Sequence, residues 1–314
     1  MSGGPAGGRV RTVYLGSGGF GAPALRRLAA HPRIELVGIV TAPARPAGRH
    51  AVLTPTPIAA LADELGLAPV LTPERLRAPA AIASVQALMP ALAVLADYGQ
   101  MVPPALLDLP HGALNLHPSA LPRFRGASPV PSTIAAGDDD TAVSLMRMDA
   151  GLDTGPLVAQ MRVPLSGRET APELEAHLAE LAADLLDRSL EGWLEGSVAA
   201  VPQATDGVTL TRPLRRADGV LDPARSALQL ERLVRAYHPW PGTYAQFDGE
   251  RLLVTAARVE GAAGGDLPGD LVRQGDEPAL ATADGRLVLE HVTPPGKRPM
   301  SGADWLRGRR ARHG

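Results

Sequence analysis

The sequence has no cysteine, which excludes disulfides, thiolate nucleophiles and thiolate-held metals together. It also has no apolar run long enough to cross a bilayer, although 45% of its 314 residues are hydrophobic. Its opening stretch, MSGGPAGGRVR, places glycines where a secretory signal carries an apolar segment. A cytoplasmic protein with a packed core is expected. Metal-binding patterns are lacking too: the eight histidines (31, 50, 111, 117, 177, 238, 291 and 313) include no pair at i,i+2 or i,i+4, and H-E-x-x-H does not occur. No metal is expected; the one alternative by residue type, His111 with His117 and Asp153, lacks a characteristic spacing. Lys297 is the single lysine, so arginine carries the other permanent side-chain positive charges. No internal repeat is visible.

The length fits two domains of roughly 100–200 residues each. RTVYLG, IELVGIV, ALAVLADYG and GALNLH read as strands. APALRRLAA, with Leu25 and Leu28 inward, and TPIAALADELGL, ending at Gly66, read as helices. TAVSLMRMD alternates with period two and GPLVAQMRVPL follows it. Strands alternating with helices predict the α/β class, a mainly parallel sheet with helices on both faces. Thr170 and Glu173 frame a capping box before the amphipathic LEAHLAELAADLLDRSLEGWLEG, stopped by Gly196.

Residues 197–211 lose periodicity and read as a linker. Beyond them come a helix in SALQLERLVRAYHPW and short strands in TYAQF, RLLVTAARV, GDLV and RLVLEHV, the pattern of a small barrel or sandwich. The expected division is a catalytic α/β domain over 1–196, the linker, and a β-rich domain over 212–314. The net charge of −2 is uneven: residues 205–314 carry 16 basic against 14 acidic side chains, the first 204 carry 15 against 19. The basic ending, WLRGRRARHG, has the charge to touch nucleic acid, but reads first as a solvated tail.

Three sites carry candidate chemistry. GSGGFG, residues 16–21, satisfies G-x-G-x-x-G between a strand and a helix, where a dinucleotide pyrophosphate would sit. Its supporting acid is misplaced, because Glu35 opens the second strand rather than closing it; a tight turn explains the glycines equally well. Asn115 and His117 stand two apart in an extended run, hence on one face, and Pro118 ends the strand. Ligands of open α/β sheets gather at such carboxyl ends. Gly151 and Gly155 bracket Asp153 in a loop after the next strand, which is a plain turn unless Asp153 faces His117.

Without a nucleophilic serine or cysteine, an amide, an imidazole and a carboxylate suit direct acyl transfer to an amine. Asn115 and a protonated His117 would donate to the developing oxyanion. Asp153 would serve as the counter-ion of the imidazolium and help remove the amine's proton.

At these residues the chain resembles the folate-dependent formyltransferases. The resemblance rests on NLH, SALPRFRGASP and MDAGLDTGPL, in order. It extends to TAPARPAGR at 41–49, ADYGQMVP at 96–103, AYHPWPGTY at 236–244 and PPGKRPMSGADWLRGRR at 294–310. It implies a Rossmann-like N-terminal domain and a C-terminal barrel of the OB type, with Asn115, His117 and Asp153 catalytic. It further implies 10-formyltetrahydrofolate as donor and the amino group of methionine on initiator tRNA as acceptor, with no protein partner and a monomeric enzyme. Folate contacts fall on Ser119, Ala120, Leu121 and Pro122, with Tyr98 and Asp149 walling the pterin pocket. Arg45, Arg49, Arg212, Arg215 and Arg216 are the candidate tRNA contacts.

Three departures from the family pattern stand out: Ala120 is small for its position, no lysines follow RPAGR, and GSGGFG replaces G-T-P-x-F. Fewer charges should weaken phosphate binding and flatten its salt dependence. Three rival readings remain open on these residues: a formyltransferase of an amino sugar or purine-pathway amine, an NAD(P)-dependent oxidoreductase, and a non-catalytic RNA-binding protein.

Overall fold

Apolar runs too short for helices become the strands of a central sheet in the computed structural model, which describes residues 8–48, 51–67 and 69–313. The chain begins with β1 (Val10–Gly16), α1 (Ala22–Ala30) and β2 (Ile34–Val40). A hairpin of β3 (Arg45–Ala47) and β4 (Val52–Thr54), then α2 (Pro57–Glu64) and β5 (Val70–Leu71), follow. Next come α3 (Pro79–Gln86), β6 (Leu92–Ala96), α4 (Pro104–Leu107), β7 (Ala113–His117) and β8 (Arg125–Gly126). After α5 (Pro129–Ala136) lie β9 (Asp140–Arg147), β10 (Leu157–Pro164), α6 (Ala171–Leu194) and the short β11 (Leu210–Thr211). The sheet order is β10-β9-β7-β6-β1-β2-β5.

The strands from β5 to β7 pair in parallel, and β9 meets β7 antiparallel, with His117 opposite Ser144. All five residues of β6 are buried, as a strand with both faces covered requires. One face is packed by Val13, Leu15, Leu95 and Ala113 against Leu76, Val85 and Leu106. In α1, Leu25 and Leu28 are buried as expected. Thr56 caps α2 by accepting from the Ala59 amide, with Pro57 pre-set in the first turn. At the start of α6, Glu173 accepts from both the backbone and the hydroxyl of Thr170.

Chain contacts divide the molecule into two units: residues up to Ala127 with Asp140–Val163 and Glu175–Thr211, and Ser128–Asp139 with Pro164–Leu174 and everything from Arg212. Residues 197–211, though aperiodic, are hydrogen-bonded within the first unit, with Val201 bridging Leu157 and β11 pairing with β8. α5 was not legible as a helix because PVPSTIAA carries two prolines. Both fall in the first turn, where the missing amide hydrogens cost nothing.

The second unit holds the β-rich part expected after residue 211, built as an antiparallel sheet, together with residues 128–139 and 164–174. Its strands are β12 (Thr243–Phe247), β13 (Glu250–Gly261), β14 (Leu271–Gln274), β15 (Glu277–Ala281), β16 (Gly285–Thr293) and β17 (Met300–Ser301), joined by α7 (Ala227–Ala236) and α8 (Gly302–His313). They pair in the order β12-β13-β16-β15-β14, with β17 also on β16. Leu230, Leu233 and Val234 of α7 pack with Phe247, Leu252, Leu287 and Leu289. The expectation of a solvated C-terminal tail fails for its first turn. Trp305 and Leu306 are buried in this core, and Arg309 pairs with Asp248.

Candidate active site

β7 holds Asn115 and His117 on one face, with His117 buried and Asn115 half-buried. The His117 ring is fixed at Nε2, 2.9 Å from the Phe124 carbonyl oxygen. A carbonyl only accepts, so Nε2 carries the proton and Nδ1 is the nitrogen left to face a ligand. Asp153 reaches the same place from the loop after β9. Its Oδ2 lies 3.8 Å from Nδ1, beyond a hydrogen bond but within direct electrostatic reach. The same oxygen accepts the Gly126 amide at 2.7 Å. Imidazole and carboxylate thus converge, one from the last residue of β7 and the other from the loop after β9.

The backbone around the pair admits little variation. Asp153 has φ 52°, in the left-handed region that Asp tolerates better than most residues. Gly126 has φ 108°, and a Cβ there would collide with the Thr211 carbonyl. A Cβ at Gly155 would collide with the Arg147 carbonyl. Asp149 organises the loop: its Oδ1 accepts from the Gly151 amide at 2.9 Å and the Thr154 hydroxyl at 2.6 Å.

Among the candidate folate residues, Ser119 is fully buried. Its hydroxyl donates to the Arg123 carbonyl and its own carbonyl accepts from Ser144. Leu121 is also interior, whereas Ala120 and Pro122 keep part of their surface. Tyr98 packs beside the core of the first unit. Its phenolic oxygen is buried without a hydrogen-bond partner among the described residues, and burial pushes its pKa up to about 12. A buried hydroxyl left unmatched points to a partner supplied from outside the chain.

The glycine-rich turn is occupied. Asp97, just past β6, lays its carboxylate where a side chain on Gly18 would sit. One edge of Asp97 stays exposed, yet the surrounding chain desolvates it and raises its pKa. Glu175 is raised too, first by burial and then by Asp97. A pyrophosphate at this turn would meet a carboxylate rather than free amides, so the dinucleotide reading loses its site. Glu35, the candidate ribose-binding acid, pairs with Arg11 at 2.9 Å instead. The sequence offers no signal for Asp97, because its role depends on a turn 80 residues earlier in the chain, where the Ser17 amide donates to the Asp97 carbonyl at 3.0 Å.

The candidate tRNA arginines differ in how free they are. Arg45 is exposed and only loosely paired with Glu74, at 3.7 Å. Arg212 is held by both oxygens of Asp218, and Arg216 lies over the ring of the exposed Trp240. The Arg215 amide donates to Asp218. Arg49 lies outside the described residues. Among the described residues no three His, Asp or Glu side chains group as a metal site, His111 with His117 and Asp153 included. No helix among them is long and apolar enough to cross a membrane.

Residues 10–190 match the family described as Formyl transferase, and residues 213–310 match the Formyl transferase C-terminal domain. A methionyl-tRNA formyltransferase of Roseiflexus sp. (strain RS-1) is 43% identical over 303 residues, covering 96% of this chain and 93% of that protein. Another, from Roseiflexus castenholzii, is 44% identical over 301 residues, covering 95% and 96%. Among solved structures WlaRD, a sugar 3N-formyl transferase, aligns with a TM-score of 0.65 over 93% of this chain and all of its own, at 12% identity, which is a likeness of fold. The imidazole of His117 and the carboxylate of Asp153 therefore meet in a chain that belongs to the formyl transferase family.

Proposed function

We infer that this chain transfers the formyl group of 10-formyltetrahydrofolate to the amino group of methionyl initiator tRNA. Relatives that match nearly its whole length are named methionyl-tRNA formyltransferase. The observation that carries the chemistry is the approach of Asp153 Oδ2 to His117 Nδ1 at 3.8 Å, beside Asn115 on the same strand face. The unprotonated amine attacks the formyl carbon, a C–N bond forms, and the carbonyl pair moves onto oxygen. Asn115 Nδ2 and Nδ1–H of a protonated His117 donate to that oxygen. Nε2 takes no part, because the Phe124 carbonyl holds its proton.

Asp153 is the counter-ion of the imidazolium and accepts the proton lost by the amine, directly or through water. The oxygen pair then re-forms the carbonyl, the bond to N10 breaks, and the proton that Asp153 accepted passes to N10 as tetrahydrofolate leaves. No step calls for a metal. The unpartnered Tyr98 hydroxyl supports a polar ligand at the folate position, with Ala120 and Pro122 offering surface and Ser119 and Leu121 shaping the turn from inside. WlaRD was crystallised with 5-N-formyl-THF, which fits a folate co-substrate for this fold. Asp149 contributes by ordering the Asp153 loop.

Arg45, Arg49, Arg212, Arg215 and Arg216 are the proposed phosphate contacts. The enzyme works as a monomer in the cytoplasm, where charged tRNA and reduced folate meet. Incubation with formyl-labelled 10-formyltetrahydrofolate and charged initiator tRNA tests the reading: label is expected on the aminoacyl end. Label on an amino sugar, with none on the tRNA, would reassign the acceptor.

A further inference from the structure

Across residues 201–210, only Gln203 and Thr209 turn inward; every other side chain is exposed. Both meet the catalytic loops. Thr209 Oγ1 accepts the amide of Phe124, the residue whose carbonyl holds His117. Gln203 does more. Its Nε2 donates to the Asp153 carbonyl at 2.8 Å and to the Gly155 carbonyl at 2.7 Å. Its Oε1 accepts from Nε and Nη2 of Arg125, at 3.1 and 2.8 Å. An amide offers two donors and two acceptor positions, and all four are filled.

The four bonds close a ring. Gln203 grips the backbone on either side of Thr154, while Gly126 grips the Asp153 carboxylate. Gly126 is in turn paired with Thr211, the residue just after this segment. The carboxylate is therefore held from the backbone side and from its own oxygen, in a loop whose φ of 52° at Asp153 would otherwise relax. We propose that Gln203 is a positioning residue for formyl transfer, fixing Asp153 opposite His117 through the two carbonyls that its amide binds. This rests on the role given to Asp153 above. Misplacing a reacting group by about 1 Å costs on the order of a hundredfold in rate, which sets the scale expected on releasing the clamp.

The test uses the full chain with Gln203→Ala, Gln203→Glu and Asp153→Asn, singly and combined. Gln203→Ala should lower kcat about ten- to a hundredfold, with KM for the folate donor within about threefold. Gln203→Glu keeps an acceptor for Arg125 but sets a carboxylate against two carbonyls, so it should be as poor as the alanine variant. In the Asp153→Asn background either change should add little, because the group being positioned is already gone. Full turnover in Gln203→Glu would overturn the proposal, as would losses that multiply independently of Asp153→Asn. Should Gln203→Ala melt at assay temperature, the glutamate variant and its pairing with Asp153→Asn still decide. Unchanged turnover in Asp153→Asn alone would instead remove the catalytic reading beneath the proposal.

Discussion

Asn115 is the only asparagine in the chain, and it lies within a strand, where asparagine is disfavoured. A half-buried amide in that position needs a polar partner, and an oxyanion is the partner proposed. Asn115→Ala and His117→Ala should each lower turnover about 10²–10³-fold and leave folate affinity within a few-fold, read by single-turnover kinetics and a binding titration. Parallel loss of affinity would place the two groups in ground-state binding. Tyr98 makes a different prediction. Its phenol ordinarily ionises near 10.0, but burial holds it at about 12 when folded. The folded protein therefore keeps a proton that the unfolded chain releases. That contribution to stability is complete below the ordinary value and is lost as pH rises through the folded one. Tyr98→Phe should abolish this part of the alkaline slope in urea melts. It should also leave the free protein no less stable, since the hydroxyl has no hydrogen-bond partner among the described residues, while weakening folate binding. Undiminished folate affinity would detach Tyr98 from the ligand.

Elements with strong periodicity were legible: the strands of the parallel sheet follow their β-branched runs, and α1, α6 and α7 follow their apolar stripes. Among the described residues four helices escaped, α3, α4, α5 and α8, and the last two did so for opposite reasons. α5 carries prolines that argue against a helix unless its exact start is known. α8 reads as polar because Trp305 and Leu306 are embedded among arginines, and only the packed core reveals where they point. The site divides the same way. Asn115, His117 and Asp153 announce themselves by residue type, whereas the Phe124 carbonyl and Gly126 amide that aim them are backbone groups with no signature in the letters. Gln203 was invisible because an aperiodic segment gives no indication of which side chain faces in. The burial of α8 has a measurable consequence. Trp305→Ala removes a large aromatic that packs at 6.0 Å from Phe247, and should cost the second unit about 3–5 kcal/mol. A chemical melt followed through the second unit checks this, and a cost near zero would return the segment to solvent.

At the scale of the whole molecule, charge limits how tRNA can be held. The chain carries a net charge of −2 and a single lysine, so phosphate contacts must come from arginines, some of which are already engaged in ion pairs. Arg212 shows the difficulty. It binds both oxygens of Asp218 and, with the Arg215 amide, draws that carboxyl down to about 2. A guanidinium so held brings little net positive potential to a phosphate, because its counter-ion comes with it. Arg216, stacked over Trp240, has no carboxylate partner among the described residues and keeps its charge available. Each phosphate neutralised contributes a slope of about −0.7 to −0.9 in log affinity against log salt. Arg216→Ala should therefore make the slope shallower by nearly one contact, whereas Arg212→Ala should change it by much less. Removing the counter-ion with Asp218→Ala should steepen the slope by freeing Arg212, provided the arginine is within reach of the acceptor. Filter binding of charged initiator tRNA from low to moderate salt measures all three. Equal flattening by Arg212→Ala and Arg216→Ala would mean that Asp218 yields its partner to the tRNA, and that ion pairing in the free protein does not govern which arginines read phosphate.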